Sequence, residues 1–75
     1  MSNNYLPVEE ATTIRVFQEG DNWVIDAINN EGDYIEEVWT DWDNLPLDKE
    51  TAILHADDFA QHIGRKDLVG KLEVS

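Results

Sequence analysis

The stretch TTIRVFQEGDNWVIDAIN, residues 12–29, decides the fold of this chain. Residues 12–18 are rich in β-branched side chains and predict a strand, and the apolar run over residues 23–29 predicts a second one. Residues 19–22 lie between them and predict a turn, because the glycine and asparagine in this segment tolerate positive φ. The stretch therefore indicates two neighbouring strands of an antiparallel sheet.

A third strand is predicted after residues 30–33, which form another glycine-containing turn of hairpin length. This strand covers residues 34 to about 42 and completes a three-stranded antiparallel β-meander. Two registers fit it. Strict alternation places Tyr34, Val38 and Trp42 on one face and Ile35 and Trp39 on the other. A bulge at Glu36-Glu37 would instead place Ile35, Val38 and Trp42 together and leave Trp39 opposite.

A helix follows a loop that contains Pro46. It carries an apolar stripe at helical spacing, formed by Ala56, Phe59, Ala60 and Ile63. Gly64 has the position of a C′ residue. Two starts remain open: Asp48 caps a long helix, or the helix begins near His55, which the acids at positions 57 and 58 favour. A short last helix capped by Asp67 would carry Leu68, Val69 and Leu72.

The pattern as a whole predicts a small α+β domain over residues 12–75, with one or two C-terminal helices packed on one face of the sheet. Residues 1–11 show no clear period and predict a loose N-terminal arm. The chain has no run of apolar residues long enough to span a membrane, and its first residues lack the features of a signal peptide. We therefore expect a location in the cytoplasm of a bacterial host cell.

Charge is the chain's most unusual property. Seventeen acids oppose five bases, for a net charge of −12 in 75 residues. Residues 16–48 hold ten acids and no Lys or Arg, whereas the rest of the chain holds seven acids and all five bases. Such a surface should be repelled by DNA, RNA and anionic lipid, so we expect no direct nucleic-acid or membrane partner.

Few residues have the chemistry of catalysis. The chain has no cysteine, its serines are terminal, and its glycines lack the spacing of a phosphate-binding loop. His55, Asp58 and His62 would share one helix face and have metal-ligand residue types, but a solvated helix face explains them better. We therefore expect no enzyme activity, no cofactor and no metal.

The acids suggest a partner surface instead. Strand geometry spaces carboxylates by about 6.7 Å along a strand and about 4.8 Å between strands, which is close to phosphate spacing in nucleic acids. The tryptophans of the same segment, beside these acids, are typical of a protein-binding hot spot. We predict that the partner-binding residues are Glu31, Asp33, Glu36, Glu37, Trp39, Asp41, Trp42 and Asp43.

In size, charge and lack of catalytic groups, the whole chain resembles the small acidic nucleic-acid mimics of phages and mobile elements, of the anti-CRISPR and anti-restriction type. No motif is involved, and no residue role is carried over. The resemblance implies an inhibitor that blocks the basic nucleic-acid-binding surface of a CRISPR effector or another nucleic-acid enzyme sterically, as a DNA mimic. Two alternatives are an immunity protein or antitoxin that neutralises a basic nuclease, and a generic acidic interaction module. A monomer is expected, or a homodimer if a tryptophan face is left uncovered.

Overall fold

The protein is described by a computed structural model over residues 5–39 and 48–74. In these residues it has strands β1 (Thr13–Glu19), β2 (Asn22–Ile28) and β3 (Leu72–Val74) and one α-helix, α1 (Lys49–His62). Short 3₁₀ turns cover Val8–Glu10 and Lys66–Leu68. The α+β class predicted from the sequence is confirmed.

Strands β1 and β2 form the predicted antiparallel hairpin. Glu19 pairs with Asn22, so the connection is the two-residue turn Gly20-Asp21. Gly20 has a φ of 64°, the left-handed conformation that tight two-residue hairpins require at this position. Because side chains alternate along a strand, Ile14 and Val16 of β1 point to one side of the sheet, where they are buried.

The prediction of a purely antiparallel meander is wrong. In the part of the chain that the structure describes, the sheet has the order β2-β1-β3, and β3 pairs with β1 in parallel. The third strand therefore comes from the C-terminal end of the chain, where Ile14 lies opposite Leu72. The backbone N–H of Ile14 also donates to the carbonyl of Lys71 at 2.9 Å.

Residues 34–39, which the sequence assigns to the third strand, touch β2 through two isolated antiparallel bridges instead of a continuous ladder. The bridges join Ile28 to Tyr34 and Ile25 to Trp39. Between them, β2 has two residues and the opposing segment has four, so the segment bulges at residues 36–38. A bulge with two extra residues does not change which side chains lie on the same face of the segment. The side chains therefore lie on the faces that the strict register predicts. Ile35 is buried and Trp39 packs against the core, whereas Tyr34 and Val38 are exposed.

Helix α1 settles the open question of its start in favour of Asp48. The Asp48 carboxylate accepts a hydrogen bond from the backbone N–H of Thr51 at 2.8 Å, which caps the helix. The long helix is favoured because its first turns also bury apolar surface. Its inaccessible residues are Ala52, Ala56, Phe59 and Ala60. The three alanines let the helix lie close to the sheet.

The chain after α1 departs from the prediction of a last helix. Gly64 is the predicted C′ residue, with a φ of 80°, and the N–H of Arg65 returns to the carbonyl of Ala60 at 2.8 Å. Asp67 pairs with Arg65 instead of capping a helix, and only a 3₁₀ turn forms. Gly70, at a φ of 86°, then lets the chain turn into β3.

The core lies between the sheet and α1, and Phe59 is its largest fully buried side chain. The described part of the N-terminal segment also reaches this core, through Leu6 and Ala11. The N–H of Leu6 donates to the carbonyl of Tyr34 at 2.8 Å, which fixes the segment beside residues 34–39. No helix in residues 5–39 and 48–74 is both long and apolar enough to cross a membrane.

Candidate functional site: an acidic segment beside an apolar groove

Both arginines of the protein are engaged within the molecule. Arg15 and Asp26 lie directly opposite each other in the β1–β2 register and form two hydrogen bonds, of 3.0 and 2.6 Å. Arg65 forms two hydrogen bonds to Asp67, of 2.9 and 2.8 Å, and a third to the carbonyl of Val8 at 2.6 Å. These two cations are therefore not available to neutralise the acids elsewhere on the surface.

The Arg15–Asp26 pair is the only buried charged constellation within the described residues. Asp26 is 2% exposed, and this burial raises the pKa of its carboxyl above the ordinary value, while the Arg15 hydrogen bonds counteract part of the rise. The Arg15 guanidinium also lies 4.5 Å from the centre of the Phe17 ring. The charged groups of Arg15 and Asp26 are satisfied by each other, so we assign the pair a structural role.

The predicted acidic residues of the described chain lie in a turn and a bulge after β2. In the turn, the side-chain oxygen of Asn29 accepts hydrogen bonds from the N–H groups of Glu31 and Asp33, at 2.9 and 3.0 Å. This leaves both acidic side chains exposed to solvent. The bulge exposes two more acids. We call these four residues the acidic segment: Glu31, Asp33, Glu36 and Glu37.

One member of the acidic segment reaches across to α1. The imidazole Nε2 of His62 is hydrogen bonded to Oε2 of Glu37. This contact joins the bulge to the last turn of the helix. Glu31, Asp33 and Glu36 have no ion pair within the described residues, so their carboxylates are free to face a partner.

Trp39 lies at the centre of an aromatic cluster on α1. Its ring meets the rings of His55, Phe59 and His62 edge-on, with centroids 5.7 to 6.0 Å apart. It is half-buried and packs against the core, as does Trp23. Trp39 is thus close to the acidic segment and also packs against the core.

An open groove lies beside the acidic segment and has a volume of about 620 Å³. Three parts of the chain form it: the N-terminal segment, the bulge and the end of α1. Its lining consists of Leu6, Val8, Ile35, Glu36, Glu37, His62 and Ile63. A second depression of about 320 Å³ shares Glu37 and His62 with it and is otherwise lined by Val38, Trp39 and Phe59.

The sequence predicts the acids and Trp39 as partner-binding residues but does not predict the groove, because Leu6 and Val8 belong to the segment that it predicts to be a loose arm. The pattern Leu6-Pro7-Val8, two apolar residues around a proline, was the available signal. The predicted partner-binding residues Asp41, Trp42 and Asp43 lie outside the described residues.

The metal-ligand residue types do not converge. His55 packs against Trp39, and His62 bonds to Glu37. Among residues 5–39 and 48–74, no three His, Cys, Asp or Glu side chains are placed to hold a metal ion.

Comparison with protein-family models, with curated proteins and with solved structures finds no match.

Proposed function

We propose that this protein is an acidic inhibitor that occupies the basic nucleic-acid-binding surface of a CRISPR effector or another nucleic-acid enzyme. It acts in the cytoplasm of a bacterial host and blocks the enzyme sterically, as a DNA mimic. It binds no nucleic acid itself and performs no chemistry. The partner supplies the positive charge that the chain lacks.

The observation that carries the proposal is the exposure of the acidic segment in a molecule whose arginines are already paired. Glu31, Asp33 and Glu36 have no ion pair among the described residues. Exposed carboxylates of one sign attract a basic groove over several ångströms and form strong charge-assisted hydrogen bonds with Arg and Lys. Such a surface gives fast association and selects against acidic partners.

The first experiment is a competition. Binding to a panel of purified CRISPR effector complexes, restriction enzymes and basic nucleases is measured by biolayer interferometry, with and without target DNA. We expect at least one member to bind, to be competed by DNA, and to lose affinity steeply as NaCl rises to about 0.5 M. No binding to any member, or binding that neither DNA nor salt affects, contradicts the proposal.

Charge reversal in two turns tests the location of the surface. The variant Glu31→Lys/Asp33→Lys changes the turn after β2, and the control Glu19→Lys/Asp21→Lys makes the same net change at the other end of β2. The seven-residue strand separates the two turns by roughly 20 Å, more than the Debye length of about 8 Å at physiological salt. We expect the first variant to lose about tenfold or more in affinity and the control to lose much less. Equal losses would place the surface elsewhere.

A further inference from the structure

We propose that the groove beside the acidic segment receives one large apolar side chain of a cationic partner segment. This inference rests on the proposed function, because it names the feature of the basic partner that the protein recognises. The occupant is a stretch of Arg and Lys residues interrupted by one residue of the size of Leu or larger. The charges meet the rim of the groove, and the apolar side chain enters it.

Four aliphatic side chains contribute to the lining of the groove, which has a volume of about 620 Å³. Val8 and Ile63 are half-buried and remain accessible, whereas Leu6 and Ile35 are buried and expose little surface. A groove of this volume lies within the range of pockets that bind small molecules. An apolar side chain that leaves water for this floor gains free energy in proportion to its buried area.

The floor is fixed before any partner arrives. Leu6 donates its N–H to Tyr34, and the carbonyl of Val8 accepts a hydrogen bond from Arg65 at 2.6 Å. Arg65 is itself held by the carboxylate of Asp67. The N-terminal wall is thus connected to both Tyr34 and the turn after α1, and little ordering is required on binding.

The rim of the groove selects the charge of the occupant. Glu36 and Glu37 line it, no Lys or Arg of the described residues does, and the imidazole of His62 is engaged by Glu37. A phospholipid headgroup or a nucleic acid would bring negative charge to this rim and be repelled. A second copy of the chain would bring its own net charge of −12. A basic protein segment satisfies both the apolar floor and the acidic rim.

Two peptides test the proposal directly. The probes are Arg-Lys-Leu-Lys-Arg and Arg-Lys-Gly-Lys-Arg, both acetylated and amidated, titrated into the full ¹⁵N-labelled chain at low salt. We expect the leucine peptide to bind about tenfold more tightly or better, since burying one Leu side chain supplies a factor of this size. The amide signals of Val8, Glu36 and Ile63 should shift with leucine and not with glycine.

Matched variants locate the binding. Val8→Ser should reduce the leucine-to-glycine affinity ratio to near one, whereas the control Val69→Ser, at an exposed valine outside the groove, should leave it unchanged. Glu36→Lys changes only an exposed rim side chain and should weaken both peptides about equally, so the test does not depend on Val8→Ser folding.

The outcomes separate this inference from the proposed function. Equal affinity of the wild-type protein for both peptides, or shifts confined to residues outside the groove, overturns the inference, while DNA-competed binding to an effector would still support the inhibitor. Conversely, a leucine-dependent ratio without any effector binding would leave the groove as a peptide site and remove the proposed function.

Discussion

Arg15 forms the ion pair that compensates the buried charge of Asp26 in the β1–β2 hairpin. The Asp26 carboxylate is buried and accepts two hydrogen bonds from the guanidinium, whose side chain is about a quarter exposed. A buried carboxylate that loses its partner remains desolvated and uncompensated, which costs far more than the pair itself contributes. Burial raises the pKa of the Asp26 carboxyl, so the cost of leaving it unpaired depends on pH.

We predict that Arg15→Met destabilises the protein by about 3–5 kcal/mol at pH 7, because it leaves Asp26 buried without a cation. Since the folded-state pKa of Asp26 is raised, the protonated form is favoured by folding, and the associated stability is present at acid pH and lost as the pH rises through that pKa. Removing Arg15 raises the pKa further. The loss should therefore be smaller at about pH 4, near the ordinary Asp pKa, than at pH 7. Urea unfolding followed by tryptophan fluorescence measures both values.

A double variant serves as the control. Arg15→Met/Asp26→Val removes both charges and should be closer in stability to the wild type than Arg15→Met alone, because no buried charge is left unpaired. If Arg15→Met were to unfold at the same urea concentration as the wild type at pH 7, the pair would have no structural role.

The pairing of Arg15 with Asp26 was not predicted from the sequence, although a signal existed. Once the hairpin turn is restricted to Gly20-Asp21, the antiparallel register places residue 15 opposite residue 26. The predicted turn, residues 19–22, is centred on the same two residues, so the predicted strand ends 18 and 23 imply the same register. The pair could therefore have been predicted by continuing this register along the hairpin.

At the scale of elements, local signals predicted one end of α1 and left the other open. Gly64 identifies the C-terminal end because few other residues take its φ of 80°. At the N-terminal end, Asp48 competed with the acids at positions 57 and 58, and any of them satisfies local helix-start preferences. The burial of Ala52 decided the question, and burial depends on contacts with the sheet that a local pattern does not contain.

We predict that Gly64→Ala lowers the free energy of unfolding by about 1 kcal/mol. A Cβ at this position would meet no atom within 4 Å, so the cost arises from the left-handed backbone and not from a steric clash. Gly64→Asn should lose less, since asparagine tolerates this conformation better than alanine. Chemical denaturation of both variants measures the difference, and an equal loss for Ala and Asn would argue against a conformational cause.

The sheet itself was predicted only in part, for a physical reason. The β1–β2 hairpin is local, and its turn and strands are visible as a continuous pattern. Strand β3 has three residues, Leu72–Val74, and its partner β1 lies near the other end of the chain. Because parallel strands are not joined by a hairpin turn, the sequence contains no turn pattern that would indicate this pairing. The bulge in residues 34–39 then weakens the strand that local alternation favoured.

At the scale of the whole molecule, the net charge of −12 opposes compaction. The radius of gyration is 11.8 Å, so the charges lie within distances comparable to the Debye length of about 8 Å at physiological salt. Like charges held this close repel one another and destabilise the folded state relative to the expanded chain. The net charge therefore lowers the stability of the folded state.

This repulsion predicts opposite effects of salt on folding and on binding. Raising NaCl from about 0.05 to 0.5 M should increase the melting temperature by several degrees, since each kcal/mol of relieved repulsion shifts a domain of this size by about 4–8 °C. The same salt should weaken binding to a basic partner. Thermal unfolding by circular dichroism measures the first effect.

Glu31→Lys/Asp33→Lys should melt higher than the wild type at low salt, with a smaller gain at high salt. A melting temperature that falls with NaCl would mean that attractive pairs, such as Arg65–Asp67, outweigh the repulsion, and would contradict the view that the acids are kept for binding at a cost to folding.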